Sequence, residues 1–326
     1  MLSESSIAFL KRLLDTPGPS GFESAPARVW RDEARAFADV TNDVAGNSMA
    51  VVNPNGAPTI MLAGHIDEIG VIVTYIDDEG YLYISGIGGW DPQVLVAQRI
   101  RIMGRDGDVY GVIGKKPIHV IKPEDRKKAS EMTDLWIDIG ATSREDAEKL
   151  VSVGDAGVID SRTIDFPNNC IVSRSIDDRI GAFIVLEAVR RYAEQPGSAR
   201  VVAVATTQEE IAFQGGGARV SATRIGPQMA IVVDVTHATD YPTAEKKEHG
   251  HHKIGAVRCS REGRSCRRWC TRCCATRRRG SRSRTRSMRP VANPGPTRMP
   301  STSRARGLQR RCSRSPTATC THLTRW

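Results

Sequence analysis

At 326 residues the chain is long enough for a large core or for two domains, and no run of roughly 18 apolar residues marks a membrane span. Its Met-Leu-Ser-Glu-Ser-Ser start lacks the basic and apolar regions of a signal peptide, so a soluble cytoplasmic protein is expected. The net charge of +10 suggests a polyanion partner only until it is divided: Arg258 to Trp326 holds twenty arginines, no lysine and one acid, Glu262, a charge of +19 that leaves −9 on the rest. Cysteines divide the same way. Cys170 is alone in the acidic body, while Cys259, Cys266, Cys270, Cys273, Cys274, Cys312 and Cys320 crowd the basic tail, which fits a reducing compartment better than a secreted disulfide framework.

Ile7, Leu10, Leu13 and Leu14 repeat at helical spacing up to the turn-rich break Thr16-Pro17-Gly18-Pro19-Ser20-Gly21, and a second helix is expected from about Glu23 to Phe37. Met49 to Val52 and Thr59 to Ala63 read as strands around the turn Asn53-Pro54-Asn55-Gly56. This opening suits an α/β domain whose strand ends carry the chemistry. At the end of the second strand stand His65 and Asp67, which point the same way if the period-two alternation continues, as a metal ligand and its orienting partner would.

From Gly70 to about Asp165 the texture changes to short β-rich runs: Val71 to Ile76, Tyr81 to Ile84, Val94 to Met103, Asp108 to Ile113 and Ala156 to Ile159, with only Ser143 to Val151 looking helical. The α/β pattern resumes afterwards, so this segment reads as an inserted domain. Asp178-Arg179-Ile180-Gly181-Ala182 opens a helix to about Glu194; Ala199 to Thr206 and Met229 to Val235 read as strands buried on both faces, and Gly215-Gly216-Gly217 precedes a further helix.

Three element ends in this half finish on carboxylates: Asp177 and Asp178 before a helix, Glu209 and Glu210 after a strand, and Asp234 at the end of a strand. Ligand sites in open α/β sheets lie outside the carboxyl ends of the strands, so all three converge with His65 if the sheet is of that kind. Taken singly such acids are caps or solvated turns, and Asp178 has the position of a helix cap. Gathered round an imidazole, they form a donor set for zinc or a similar divalent ion.

The stretches Gly64-His65-Ile66-Asp67-Glu68-Ile69-Gly70, Gly88-Gly89-Trp90-Asp91, Ser175-Ile176-Asp177-Asp178-Arg179, Thr207-Gln208-Glu209-Glu210 and Val233-Asp234-Val235-Thr236-His237 resemble, in content and order, the glutamyl and deblocking aminopeptidases. These are di-zinc peptidases that build tetrahedral particles, some of them also described as cellulases. The resemblance covers the chain to about Gly255. It implies an α/β fold, a central mixed sheet with helices on both faces, split into residues 1–69 and 166–255 around a small β-barrel at 70–165 that serves oligomer assembly. It also implies two divalent ions, zinc first with cobalt or manganese as alternatives. His65 and Asp234 become terminal ligands of one ion, Asp177 the bridge, Glu210 a ligand of the second, Glu209 the general base acting on a metal-bridging water, and Asp67 the partner that orients His65. Peptides are the implied substrates and a homo-oligomer the implied state. The preferred N-terminal residue is not legible.

The family has one more ligand, a His near its C-terminus, and residues 256–326 do not supply it in recognisable form. From Arg258 onward there is no Ile, Phe, Tyr, Lys or Asp and no apolar periodicity. Regrouping the codons one base earlier permits Gly-Gly-Pro-Val-Leu-Ser-Arg-Gly over residues 256–263, Gly-Thr-Asp-Ala-Asp-Ala-Ile over 295–301 and Pro-Asn-Arg-Tyr-Met-His-Ser-Pro over 316–323. These strings resemble the family's remaining segments in order and in one register, and the last contains the missing His. The tail is therefore expected to be an out-of-frame, disordered basic stretch, His322 is not counted as a ligand, and activity is expected to be impaired. A bland disordered tail, an Arg-rich nucleic-acid binder and a glycoside hydrolase are the competing readings. Neither nucleic acid nor a membrane is expected as a partner, since an acidic body binds polyanions poorly.

Overall fold

A computed structural model describes residues 2–212, 216–254 and 324–325. The chain opens with α1 (Glu4–Asp15), capped by the Ser3 hydroxyl, which accepts from the Ser6 N–H, and α2 (Ser24–Ala34). Leu10, Leu13 and Leu14 lie on the buried face of α1 as their spacing predicts, each contributing about 1.5–3 kcal/mol of burial, but Ile7 is 41% exposed and Phe9 fills its place in the core. Next come β1 (Asp39–Asn42), β2 (Ser48–Val52) and β3 (Thr59–His65). The short polar β1 carries no apolar alternation, and it was invisible in the sequence for that reason.

Residues 70–159 form a closed barrel. Its strands are β4 (Gly70–Ile76), β5 (Leu82–Ile87), β6 (Arg99–Gly104), β7 (Gly107–Lys115), β8 (Leu135–Asp138) and β9 (Ala156–Ile159), ordered β4-β5-β8-β7-β6-β9, with α3 (Arg144–Glu148) before β9. Val71, Val73, Leu82, Ile84, Ile100, Ile102, Ile113 and Ile137 alternate inward and fill it. The expected strand over Val94 to Met103 is shorter than its apolar run. Pro92–Val94 make a 3-10 turn capped by Asp91, Ala97 has a left-handed φ of 65°, and β6 starts only at Arg99. Leu95 in that run is apolar because it plugs the barrel core rather than because it pairs. The helix expected over Ser143 to Val151 is likewise a single turn with Ser143 as its cap.

After the hairpin β10 (Ile164–Phe166) and β11 (Cys170–Val172), the chain enters α4 (Ile176–Glu194). Asp177 and Asp178 have non-helical backbone angles, so regular helix begins at Arg179. β12 (Arg200–Thr206), α5 (Gly216–Ile225), β13 (Met229–Val232) and α6 (Lys246–His249) follow, and a short strand β14 (Thr324–Arg325) pairs with β11. The main sheet has the order β1-β2-β12-β3-β13, parallel along β12, β3 and β13 and antiparallel at β1 and β2. Val201, Ala203 and Ala205 face α1, α2 and α4, while Val202 and Val204 face α5, so β12 is buried on both faces by helices as its apolar run predicts.

β13 departs from expectation. It ends at Val232, and Ile231 and Val232 are 49% and 68% exposed. Among the described residues it is an edge strand with β3 as its one neighbour, which leaves that side uncovered. No helix among the described residues is long and apolar enough to cross a membrane.

Candidate active site

The parallel register of β3 with β12 sets Thr206 opposite His65, so both strands deliver their C-terminal loops to one rim of the sheet. Gly64 permits the third approach. A Cβ there would stand 2.4 Å from the backbone carbon of Gly181, so only glycine lets the start of α4 lie against β3. Asp177 is thereby carried to His65.

His65 is 4% exposed at the centre of the arrangement, with its ring held from both sides. Nδ1 lies 3.2 Å from the Asp67 carbonyl and 3.4 Å from Asp67 Oδ1, and Nε2 lies 3.2 Å from Asp177 Oδ1 and 3.9 Å from Glu209 Oε2. Asp67 is fully buried; its Oδ2 accepts from the Glu210 N–H at 3.0 Å, tying the loop after β12 to the loop after β3. Two sets bring donor atoms within 4.8 Å of one another: His65 with Asp177 and Glu210, and His65 with Asp178 and Asp234. All six acids and imidazoles expected from the sequence thus lie at one rim.

Asp178 is spent on the backbone. Its Oδ2 accepts from the His65 N–H at 3.2 Å and its Oδ1 from the Gly181 N–H at 3.1 Å, the pattern of a helix cap. Burial raises its pKa to about 9.

The charges are strongly coupled. Burial by itself would lower the His65 pKa, but hydrogen bonds to Asp177 and Asp67 and the charges of Asp67 and Asp178 outweigh it and hold the imidazole well above its ordinary value. Burial tends to raise Asp67, yet its bond to His65 brings it below the usual carboxylate range. Glu210 rises to about 8 through burial and the charge of Asp177. Burial also raises Glu209 and Asp234, helped by neighbouring carboxylates. Such crowding of acids around one imidazole is what a divalent cation relieves, and carboxylate oxygen with imidazole nitrogen is a donor set such an ion accepts.

Sequence reasoning missed the residues that shape the loop after β12. Glu23 Oε1 accepts from the N–H groups of Gly21 and Gln208, and Asn47 Oδ1 accepts from the N–H and hydroxyl of Thr207. Gln208 sits at φ 59°, which turns the chain so that Glu209 and Glu210 face His65. Neither Glu23 nor Asn47 belongs to a run of acids or a His-containing stretch, so no local signal distinguishes them. Of the expected segments, Gly88-Gly89-Trp90-Asp91 reaches the site from the barrel: Gly88 lies beside Ile69 and Glu210, and Trp90 donates to the Gly70 carbonyl. His322 lies outside the described residues.

The chain has relatives among known proteins. The chain is 35% identical over 233 residues to the lysyl aminopeptidase of Pyrococcus furiosus, covering 70% of this chain and 66% of that protein, just under two thirds of its length. Its structure superposes on a TET aminopeptidase from a marine sediment archaeon, a thaumarchaeote, with TM-score 0.73 and 38% identity over 77% of this chain and 71% of that one. The Pyrococcus horikoshii TET1 peptidase, which can assemble into a tetrahedron or a large octahedral shell, gives TM-score 0.66 and 30% identity over 78% and 73%. The model of the M42 glutamyl aminopeptidase family matches residues 46–265, a span that contains every acid and imidazole of the site, and the chain belongs to that family.

Proposed function

We propose that this chain is built as a metal-dependent aminopeptidase that removes N-terminal residues from peptides, with an activity impaired by residues 256–326. The observation that carries the reading is the convergence of His65, Asp177, Glu210 and Asp234, with Glu209 half-exposed and 3.9 Å from His65 Nε2. His65 and Asp234 would hold one ion, Glu210 the second, and Asp177 both. Divalent ions held there would polarise the scissile carbonyl and acidify the attacking water. Glu209 would serve as the general base that holds the proton of the attacking water and passes it to the departing amine, a task suited to a carboxylate whose pKa is raised by burial and neighbours. Asp67 faces Nδ1 and so presents Nε2 to the ligand side, the usual office of an acid behind a ligating histidine. Zinc is the first candidate for the metal.

The family match ends at residue 265, which leaves residues 266–326 outside it. This supports the reading of the tail as one base out of register, so that the second imidazole of the pair of ions is missing. The barrel at 70–159 is assigned to assembly into a homo-oligomer, as the self-assembling relative suggests. A glycosidase is not favoured, because the acids gather round an imidazole as a cation's donors do.

Hydrolysis of aminoacyl-p-nitroanilides tests both halves. The chain as it stands should show weak, chelator-sensitive turnover that Glu209→Gln reduces about 100-fold or more with metal binding retained. Re-framing the codons after residue 255 should raise both turnover and bound metal. Turnover that survives chelation rejects the metal, and an unchanged rate after re-framing rejects the impaired tail.

A further inference from the structure

The site holds a buried cation that its chemistry does not use. Arg179 directly follows the two acids Asp177 and Asp178, and it is fully buried. Its guanidinium donates to the Ile66 carbonyl at 3.0 Å, between His65 and Asp67, and to the carbonyls of Leu13 at 3.0 Å and Thr16, where α1 ends. Nη2 meets Glu68 Oε1 at 2.9 Å. Glu68 is also buried and is the residue after Asp67; its Oε2 lies 2.9 Å from Arg174 Nε, and its Oε1 accepts from the Gly18 N–H at 3.1 Å. The Glu68 backbone is bound as well, donating to the Gly18 carbonyl and accepting from the Ser20 N–H.

Three features separate this from an ordinary core ion pair. The two partners are the immediate chain neighbours of the ligand segments: Glu68 follows His65-Ile66-Asp67, and Arg179 follows Asp177-Asp178. Arg179 also grips the backbone between His65 and Asp67, so it is bound to both the peptide and the side chain of the β3 loop. Finally, the charge is compensated twice, by Glu68 and by carbonyls at the C-terminal end of α1, where the helix dipole favours a cation. Burial lowers the Arg179 pKa to about 10, which leaves it charged at neutral pH.

We infer that the Arg179–Glu68 pair is a positioning clamp, which sets the spacing between the His65-Asp67 segment and the Asp177 segment and thereby the affinity and geometry of the metal centre. The inference rests on the metal-site reading given above. Ligands on two separate segments bind an ion well only if those segments are held to about 0.5 Å by groups behind them, and losing such a group typically weakens metal binding about 10–100-fold. Arginine suits this place because its planar fork reaches a carboxylate and several carbonyls at once, whereas a lysine in the same volume presents a point charge.

Cobalt(II) titration of the metal-free full chain, followed by calorimetry and by the visible absorption of the bound ion, tests it. Glu68→Gln and Arg179→Lys should each weaken cobalt binding at least tenfold and shift the absorption bands at temperatures well below their melting points. Glu33→Gln, which removes a pair with Arg190 and Arg12 remote from the site, should bind cobalt as the parent does. If both site variants melt earlier yet bind cobalt with the parent's affinity and spectrum, the pair is merely structural and the inference is overturned. Should Arg179→Lys fail to fold, the near-isosteric Glu68→Gln decides alone. A parent chain that binds no cobalt overturns the metal-site reading itself, and the clamp with it, an outcome distinct from unchanged binding in the variants.

Discussion

The barrel and the main sheet bury side chains of different kinds. Among the described residues, every buried polar or charged side chain lies outside residues 70–172: His65, Asp67, Glu68, Asp178, Arg179, Thr206 and Thr207 crowd the C-terminal rim of the sheet, while the barrel interior is apolar throughout. Each barrel strand is paired on both sides, so closure leaves no edge, whereas among the described residues the sheet ends in β1 and β13 with one neighbour each. A closed, apolar unit gains its stability from its packed interior and its complete strand ladder. The sheet's rim instead holds charges that oppose one another and are costly to bury, which is a stability cost accepted where a ligand is to be bound.

That contrast can be broken most forcefully in the two cores. Leu186→Ala under α4 and Ile137→Ala inside the barrel should each cost about 2–5 kcal/mol, because both side chains are fully buried and leave a cavity. Only Leu186→Ala should also weaken metal binding, since α4 carries Asp177 at its start. Chemical denaturation and metal titration of the two variants decide it; equal loss of metal binding would show that the barrel and the site are one mechanical unit.

A smaller effect is expected from pH in chelator-treated protein. Glu210, raised to about 8 from an ordinary value of 4.5, binds its proton more tightly when folded, so the metal-free fold loses stability as pH rises between those values. The raised imidazole of His65 acts in the same direction, being lost as pH climbs through its folded pKa. Melting temperature should therefore fall with rising pH without metal and recover on adding zinc, with hydrogen exchange changing at residues 64–68 and 207–210 and not in the barrel strands. A melting temperature that rises over the same range would remove electrostatic crowding from the account.

The smallest effect sharpens the contrast at the surface. The Arg190–Glu33 pair, 2.6 Å long and partly exposed between α2 and α4, should be worth about 0.2–1 kcal/mol in a double-mutant cycle, with no change in metal affinity. A coupling above 2 kcal/mol would mean that the helix layer leans on ion pairs more than on Phe9, Trp30, Phe183 and Leu186.

Several elements were legible because their physics is local. The helical spacing of Leu10, Leu13 and Leu14, the unbroken apolar run of β12 and the short β-rich runs at β4, β5 and β7 report a helix face, a doubly buried strand and half-buried ones. Leu95 reads as part of a strand although its apolarity serves the barrel core, and Ile231 and Val232 read as buried although they stand 49% and 68% exposed at the sheet's edge. Short strands such as the polar β1 and the three-residue β10 exist only because a neighbour pairs with them, and they are too short or too polar to announce themselves.

For the candidate site, the sequence by itself determined the side-chain inventory: a His and a set of acids at element ends, in an order that resembles one family. Tertiary structure decided which of those acids is free to bind. Asp177 and Asp178 are adjacent and identical in kind, but one faces His65 Nε2 while the other is consumed by two backbone N–H groups. It also decided what stands behind them, for Glu23, Asn47 and the Arg179–Glu68 pair act across more than 100 positions of chain. Side-chain type is a local property, written residue by residue. Distance, burial and competition for hydrogen bonds are properties of segments brought together, and they come into being only when β3, β12 and α4 meet at one rim.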